Sequence, residues 1–292
     1  MRLAPFRLHR PASVEEATSI LDELGPDALA YCGGTELLLI AKLGLTDFSD
    51  LVDVKPIAEL GGIDADEREL RIGATVTHRA LERSALIRER WPSLAEMERG
   101  VANLRVRNVG TIGGNLCFAD PHSDPATWLL AAGGEVSVRR GGAPARRLTI
   151  EDFVRGPYAT ALEEGELLVC VHVPAPAPAS ALVHRKMSFQ ERPAITVAVR
   201  VELEDGRVRS ARIAIGSVGV RPMRPGDAEA ALAGLDALAP DDGALARAGD
   251  AAAQECEPVA DANGSVEYKR QLVRVLTARC AREALAGASA WS

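Results

Sequence analysis

The sequence predicts an α+β fold of three successive units, and three observations carry that prediction. Strand and helix patterns alternate over residues 1–55. A proline-alternating stretch, Pro174-Ala175-Pro176-Ala177-Pro178-Ala179-Ser180, follows an apolar strand pattern and cannot continue a sheet interior. Beyond it, two long alternating runs meet at Asp205-Gly206, a strong hairpin signal, and helical patterns fill the remainder. A chain of 292 residues, 47% hydrophobic and 26% charged, has the composition of an ordinary globular protein with room for two or three cores.

In the first unit, Ser13-Val14-Glu15-Glu16 reads as a capping box. Val14, Ala17, Leu21 and Leu24 then recur at helical spacing until Gly25-Pro26 stops the helix. Residues 28–31 read as a strand, 32–35 as a glycine turn, 36–43 as a helix and 51–54 as another strand. The second unit spans residues 56–174. It contains a strand at 70–74, a short helix capped by Thr77, a helix over 93–102 and an apolar helix from Asp124 to Ala132. A hairpin turned at Gly141-Gly142, a start capped by Thr149 and a buried strand over 167–173 complete it. The third unit, 182–292, holds strands at 195–203 and 208–218, then helical patterns at 227–235, 241–256 and 266–285. Leu272, Val273, Leu276 and Cys280 share one face of the last helix.

Two glycine-rich spans carry the chemistry. Cys32-Gly33-Gly34-Thr35 joins a strand to a helix, which aims free N–H groups and a positive dipole end at an anion. The longer span is Gly110-Thr111-Ile112-Gly113-Gly114-Asn115-Leu116-Cys117-Phe118-Ala119-Asp120-Pro121-His122-Ser123-Asp124-Pro125. Its paired glycines allow positive φ and close approach of a ligand, and Asp124 stands where a helix N-cap belongs. Either span alone could be an ordinary turn, and neither matches G-x-G-x-x-G or G-x-x-x-x-G-K-[ST]. Acting together, they could hold the two phosphates of a dinucleotide.

Composition excludes several classes. A net charge of −7 disfavours a nucleic-acid binder, and the basic stretch from Arg139 to Arg147 reads as a solvated hairpin. The five cysteines (Cys32, Cys117, Cys170, Cys256, Cys280) include no C-x-x-C, so no zinc or iron–sulfur site is legible. No run approaches the ~18 apolar residues of a transmembrane helix, and no signal-peptide core follows Met1-Arg2-Leu3-Ala4-Pro5-Phe6. The expected location is the cytoplasm. His122 is expected to face solvent, and His9, His78, His172 and His184 are isolated and receive no role.

Taken in order, these pieces resemble a specific family. Tyr31-Cys32-Gly33-Gly34-Thr35-Glu36-Leu37 stands where the FAD-binding medium subunits of molybdenum hydroxylases have an A-G-G-T-D-L-type loop. Arg107 to Asn115, with Pro121 and Asp124, is similar to their R-N-x-G-T-I-G-G-N…P-x-x-D motif. Gly156-Pro157-Tyr158-Ala159-Thr160 before Glu166-Leu167-Leu168 resembles the segment leading to the isoalloxazine, and Tyr268-Lys269-Arg270 the C-terminal helix. The family includes carbon monoxide dehydrogenase and xanthine dehydrogenase, and the likeness runs over nearly the whole chain.

The resemblance implies a two-part FAD-binding fold of the vanillyl-alcohol oxidase type (1–55 and 56–174) and a C-terminal α+β domain with an antiparallel sheet. It implies FAD as cofactor. Ala30, Tyr31, Cys32, Gly33, Gly34, Thr35, Glu36 and Leu37, with Thr111, Gly113, Gly114 and Asn115, would hold the pyrophosphate and ribityl regions. Val101 would also contact the cofactor, Asp124 would bond one of its hydroxyls, and Leu168 would pack near the ring. Lys186 would place a cation beside the flavin; a solvent-facing strand lysine is the other reading. The implied partners are a small iron–sulfur subunit, a large molybdopterin subunit and an external electron acceptor. There is one departure: Arg192-Pro193-Ala194-Ile195 lacks an acid that the family often carries there. A further branch, the aromatic acyl-CoA reductases, is disfavoured because no inserted four-cysteine set is present. Two other functions stay open: a self-contained FAD oxidoreductase with its own substrate pocket, and a non-catalytic binding or assembly module.

Overall fold

The computed structural model describes residues 3–189 and 192–290. Met1 and Arg2, the first residues of the N-terminal stretch Met1–Phe6, lie outside the described residues, as do Gln190, Glu191, Trp291 and Ser292.

The first unit is a three-stranded parallel sheet in the order β1 (Arg7–His9), β3 (Asp50–Asp53), β2 (Ala28–Tyr31). Helix α1 (Val14–Leu24) covers it, and α2 (Leu37–Lys42) leaves the glycine turn. Ser13 caps α1 through the Glu16 N–H at 3.1 Å, as its sequence implies. The return arm of the box differs: the Glu16 carboxylate accepts from the Ala12 N–H.

The second unit is a five-stranded sheet in the order β4 (Ile63–Ala65), β5 (Glu69–Gly73), β10 (Leu167–Pro174), β6 (Glu135–Arg139), β7 (Arg146–Thr149). The late strand β10 fills the centre, antiparallel to both neighbours, which is why residues 167–173 are so apolar. Its helices are α3 (His78–Arg83), α4 (Ala85–Arg90), α5 (Pro92–Gly100), α6 (Leu104–Val109), α7 (Ile112–Phe118), α8 (Asp124–Ala132) and the short α9 (Ile150–Phe153). A small ribbon of β8 (Val154–Gly156) and β9 (Ala159–Thr160) follows. The hairpin arginines are paired rather than only solvated: Arg139 meets Glu59, Arg140 meets Asp22, and Arg146 meets Glu166.

The third unit is an antiparallel meander of β11 (Ser180–Ser188), β12 (Pro193–Glu204) and β13 (Arg207–Gly216). Asp205 and Gly206 both have positive φ, the conformation their sequence implies for a tight hairpin. Helices α10 (Gly226–Leu232), α11 (Asp242–Glu255) and α12 (Val266–Ser289) back the sheet. On α12, Val273 and Cys280 are fully buried, with Leu272 and Leu276 beside them.

Two corrections concern the long glycine span. It is not an open loop, because Ile112–Phe118 is helical, with Thr111 as N-cap accepting from the Gly114 N–H at 3.1 Å. Gly113 and Gly114 therefore have ordinary helical φ rather than positive φ. What demands glycine at 113 is contact: a Cβ there would stand 2.6 Å from the Ala74 carbonyl oxygen. Asp124 is likewise not the N-cap of α8. Ser123 is, its hydroxyl accepting from Ala126, and Asp124 is the first helical residue, with its carboxylate free for other partners.

Candidate functional site

The two glycine turns meet. A Cβ on Gly33 would lie 2.4 Å from the Val109 carbonyl oxygen, so the first turn rests directly on the residues leading into α7. Gly34 takes φ +68°, a left-handed conformation that turns the chain from β2 into α2. Between the turns opens a cleft of about 370 Å³, within the range of small-molecule sites. It is bounded by β2, α2, α7, the starts of α8 and β10, and the start of β12.

All but one of the residues singled out in the sequence line this cleft. They are Ala30, Tyr31, Cys32, Gly33, Gly34, Thr35, Glu36 and Leu37 on the first turn, and Thr111, Gly113, Gly114 and Asn115 on the second. Val101, Asp124 and Leu168 join them from α5, α8 and β10. Lys186 stands directly behind: its ammonium donates to Asp124 Oδ2 at 2.6 Å and to the Gly100 carbonyl at 2.7 Å. It is therefore not a solvent-facing strand lysine. None of residues 156–160 lines the cleft, whereas Leu162 and Glu166 do. Tyr158 instead packs edge-on against Phe118.

Asp124 is only 5% exposed. Burial pushes its carboxyl above the usual carboxylate range, and the Lys186 ammonium pulls the other way. Its Oδ1 has no hydrogen-bond partner among the described residues and lies 3.8 Å from His184 Nε2, which is also unpartnered. Burial, with Lys186 and Arg185 nearby, drives His184 down to about 3, so its ring is neutral. Cys32 and Cys117 are free thiols on opposite walls. Burial pushes the Cys117 thiol up to about 12, which makes it a space-filling group rather than a nucleophile.

Sequence reasoning missed His78, Asp120, Arg192 and Pro193, all of which line the cleft. Arg192 reaches Asp120 at 2.8 Å and Glu36 at 3.7 Å, spanning the mouth from the third unit to both turns. His122 does not simply face solvent. Its Nδ1–H donates to the Pro193 carbonyl at 2.8 Å, and its Nε2 lies 3.5 Å from Asp261. No local pattern announced these residues: His78 bonds Glu98, buried 20 positions away, and the contacts made by His122 and Arg192 span 71 to 156 positions. Among the described residues no His, Cys, Asp and Glu cluster could hold a metal ion.

Comparison with known proteins settles the family. Residues 4–176 match the family described as the FAD binding domain in molybdopterin dehydrogenase, and residues 184–284 match the CO dehydrogenase flavoprotein C-terminal domain. The chain belongs to this flavoprotein family. It is 31% identical to the carbon monoxide dehydrogenase medium chain of Afipia carboxidovorans, over 97% of this chain and 98% of that one. It is 30% identical to the nicotine 6-hydroxylase medium subunit of Paenarthrobacter nicotinovorans, over 97% and 99%. Its fold matches a solved carbon monoxide dehydrogenase of Hydrogenophaga pseudoflava with a TM-score of 0.93 and 33% identity, covering 98% of this chain and 99% of that chain.

As a member of the flavoprotein family the chain is an oxidoreductase subunit, of the FAD-binding medium type found in molybdenum hydroxylases, and its cofactor is FAD. The residues of the cleft fit such a ligand. Gly114 offers no side chain on the open side of α7, and the orphaned Oδ1 of Asp124 is an acceptor awaiting a donor. No helix among the described residues is long and apolar enough to cross a membrane.

Proposed function

We propose that this chain holds FAD in the cleft between its two glycine turns and relays electrons, within a larger complex, from iron–sulfur clusters of a small subunit to an external acceptor. In this reading the substrate is oxidised at a molybdopterin-bearing large subunit. The observation that carries it is the convergence of both turns, Asp124 and Leu168 on one cleft.

FAD, when bound, supplies the ability to take electrons singly and give them up singly or in pairs. The chain's own residues bind and orient. The Thr35–Leu37 start of α2 presents backbone N–H groups suited to phosphate oxygens. On the second turn the N–H groups of Ile112, Gly113 and Gly114 are bonded to Val76, Ala74 and Thr111, so what Gly114 contributes is room for close approach. The Asp124 carboxylate would accept from a cofactor hydroxyl. Lys186 offers a fixed positive charge beside it, which favours a ligand that gains electrons. Val101 and Leu168 exclude water from the inner wall.

Gly114→Glu tests the placement. A Cβ at 114 meets only the Thr111 hydroxyl, at 3.0 Å, so the variant is expected to fold. The added carboxylate would then oppose the phosphates. The purified variant should be colourless, with circular dichroism like wild type; full retention of flavin absorbance would place the cofactor elsewhere. Recovery of iron–sulfur and molybdenum subunits with the native protein tests the partners.

A further inference from the structure

The first glycine turn has an acid on each flank, and each acid meets a cation from elsewhere in the chain. Glu36 follows the paired glycines, with Arg192 of the third unit 3.7 Å away. Asp53 ends β3, directly across from Tyr31 at the end of β2. These strands are parallel, and Tyr31 and Val54 at their carboxyl ends line the cleft, the edge at which such sheets receive ligands. Asp53 is only 5% exposed, so its charge is poorly hydrated. It stands next to the turn that would face an anionic diphosphate.

Lys55 answers that charge. Its ammonium lies 2.7 Å from Asp53 Oδ1, donates to the Cys32 carbonyl at 3.2 Å and sits 3.8 Å from the centre of the Tyr31 ring. The Lys55 backbone N–H donates to Asp53 Oδ1 as well, at 3.2 Å. Among the described residues Lys55 is the one cation in ion-pair contact with Asp53.

A lysine side chain that is 44% exposed could extend into water. Here carboxylate, carbonyl and aromatic ring together hold the ammonium against the back of the turn. The same ring packs on the second glycine: a Cβ on Gly34 would stand 2.5 Å from Tyr31 Cε2. Without the ammonium, a buried carboxylate would face the ligand's phosphates with no counter-ion, across protein rather than water.

We propose that Lys55 is the counter-ion of the diphosphate site: held behind the first turn by the Cys32 carbonyl and the Tyr31 ring, it cancels the charge of Asp53 so that an anionic dinucleotide can enter. This rests on the placement of FAD argued above. Lys55 acts through Asp53 and the turn rather than by touching the ligand.

The test uses the full chain, stripped of flavin and titrated with FAD. Lys55→Met keeps the stem and removes the charge, and circular dichroism checks that the fold is intact. It should weaken FAD about tenfold. Lys55→Arg keeps the charge and should bind within about threefold of wild type. Adding Asp53→Asn to Lys55→Met removes the uncompensated acid, so the double variant should recover most of the lost affinity. A lysine that only braces the turn predicts the reverse, because the double variant has lost both partners. The proposal is overturned if Lys55→Met binds FAD as tightly as wild type, if Lys55→Arg is as weak as Lys55→Met, or if the double variant is no tighter than Lys55→Met. Failure of the wild-type chain to bind FAD at all would instead overturn the cofactor placement itself.

Discussion

His184 shows how far burial can set a residue's chemistry. In the unfolded chain an imidazole takes up a proton near pH 6.5; in the folded protein burial and two cations hold this one neutral down to about 3. The folded pKa is depressed, so the stabilisation from keeping the ring neutral is fully present above pH 6.5. It is lost progressively as pH falls toward 3, because the unfolded state binds the proton and the folded state does not. The effect is on the order of a few kcal/mol across that window. His184→Leu also removes the unpartnered Nε2. Its melting temperature should therefore fall less than that of wild type between pH 6.5 and 4, and parallel curves for the two proteins would show that His184 does not carry the effect. At this same scale the sequence was legible only in part. Gly33, Gly113 and Asp124 stand out by residue type and local spacing. His78 and Glu98 do not, because a buried pair formed across 20 positions leaves no local signature.

Among elements, the most legible were those with a local cause. Asp205-Gly206 dictates a hairpin by backbone preference alone, and Ser13, Thr77 and Thr149 cap helices through bonds that span three residues. The stretch from Gly110 was less so. Its glycines argue for a loop, yet tertiary contact with Ala74 and the Thr111 cap hold it helical. Strand β11 was hidden for a similar reason: its nine residues include polar and charged ones whose partners lie on α5 and α8. Helix pairing in the third unit rests on another close approach. A Cβ on Gly249 of α11 would stand 2.4 Å from the Arg274 carbonyl oxygen of α12. Gly249→Ala gains helix propensity but forces the two helices apart, and overpacking of this kind costs about 1–3 kcal/mol. Urea denaturation of the variant should show that loss, and a gain in stability would mean the helix pair has slack.

For the molecule as a whole, the question is whether the proline stretch separates two independent bodies. The chain does change sheets there, with β10 ending at Pro174 and β11 beginning at Ser180. The core does not divide at the same place. All nine residues of α8 are buried, and the helix packs on β12 and β13 as well as beneath its own sheet. Ala198 and Ala214 of the third unit belong to the same apolar cluster as Trp128 and Leu129. Thr127 and Thr196 hydrogen-bond across the boundary at 3.1 Å, and a Cβ on Gly216 would collide with Thr127 Oγ1. Lys186 completes the join by neutralising Asp124. We therefore expect that a chain ending at residue 176 would leave one face of α8 bare and Asp124 unpaired, a loss of apolar burial and an uncompensated buried charge at once. Such a fragment should bind apolar dyes and retain no FAD. The full chain should unfold in a single calorimetric transition, because the first turn, the second turn and Lys186 serve one cleft. Two well-separated transitions, or a truncated chain that keeps its flavin, would show that the third unit is an appendage rather than the back wall of the site.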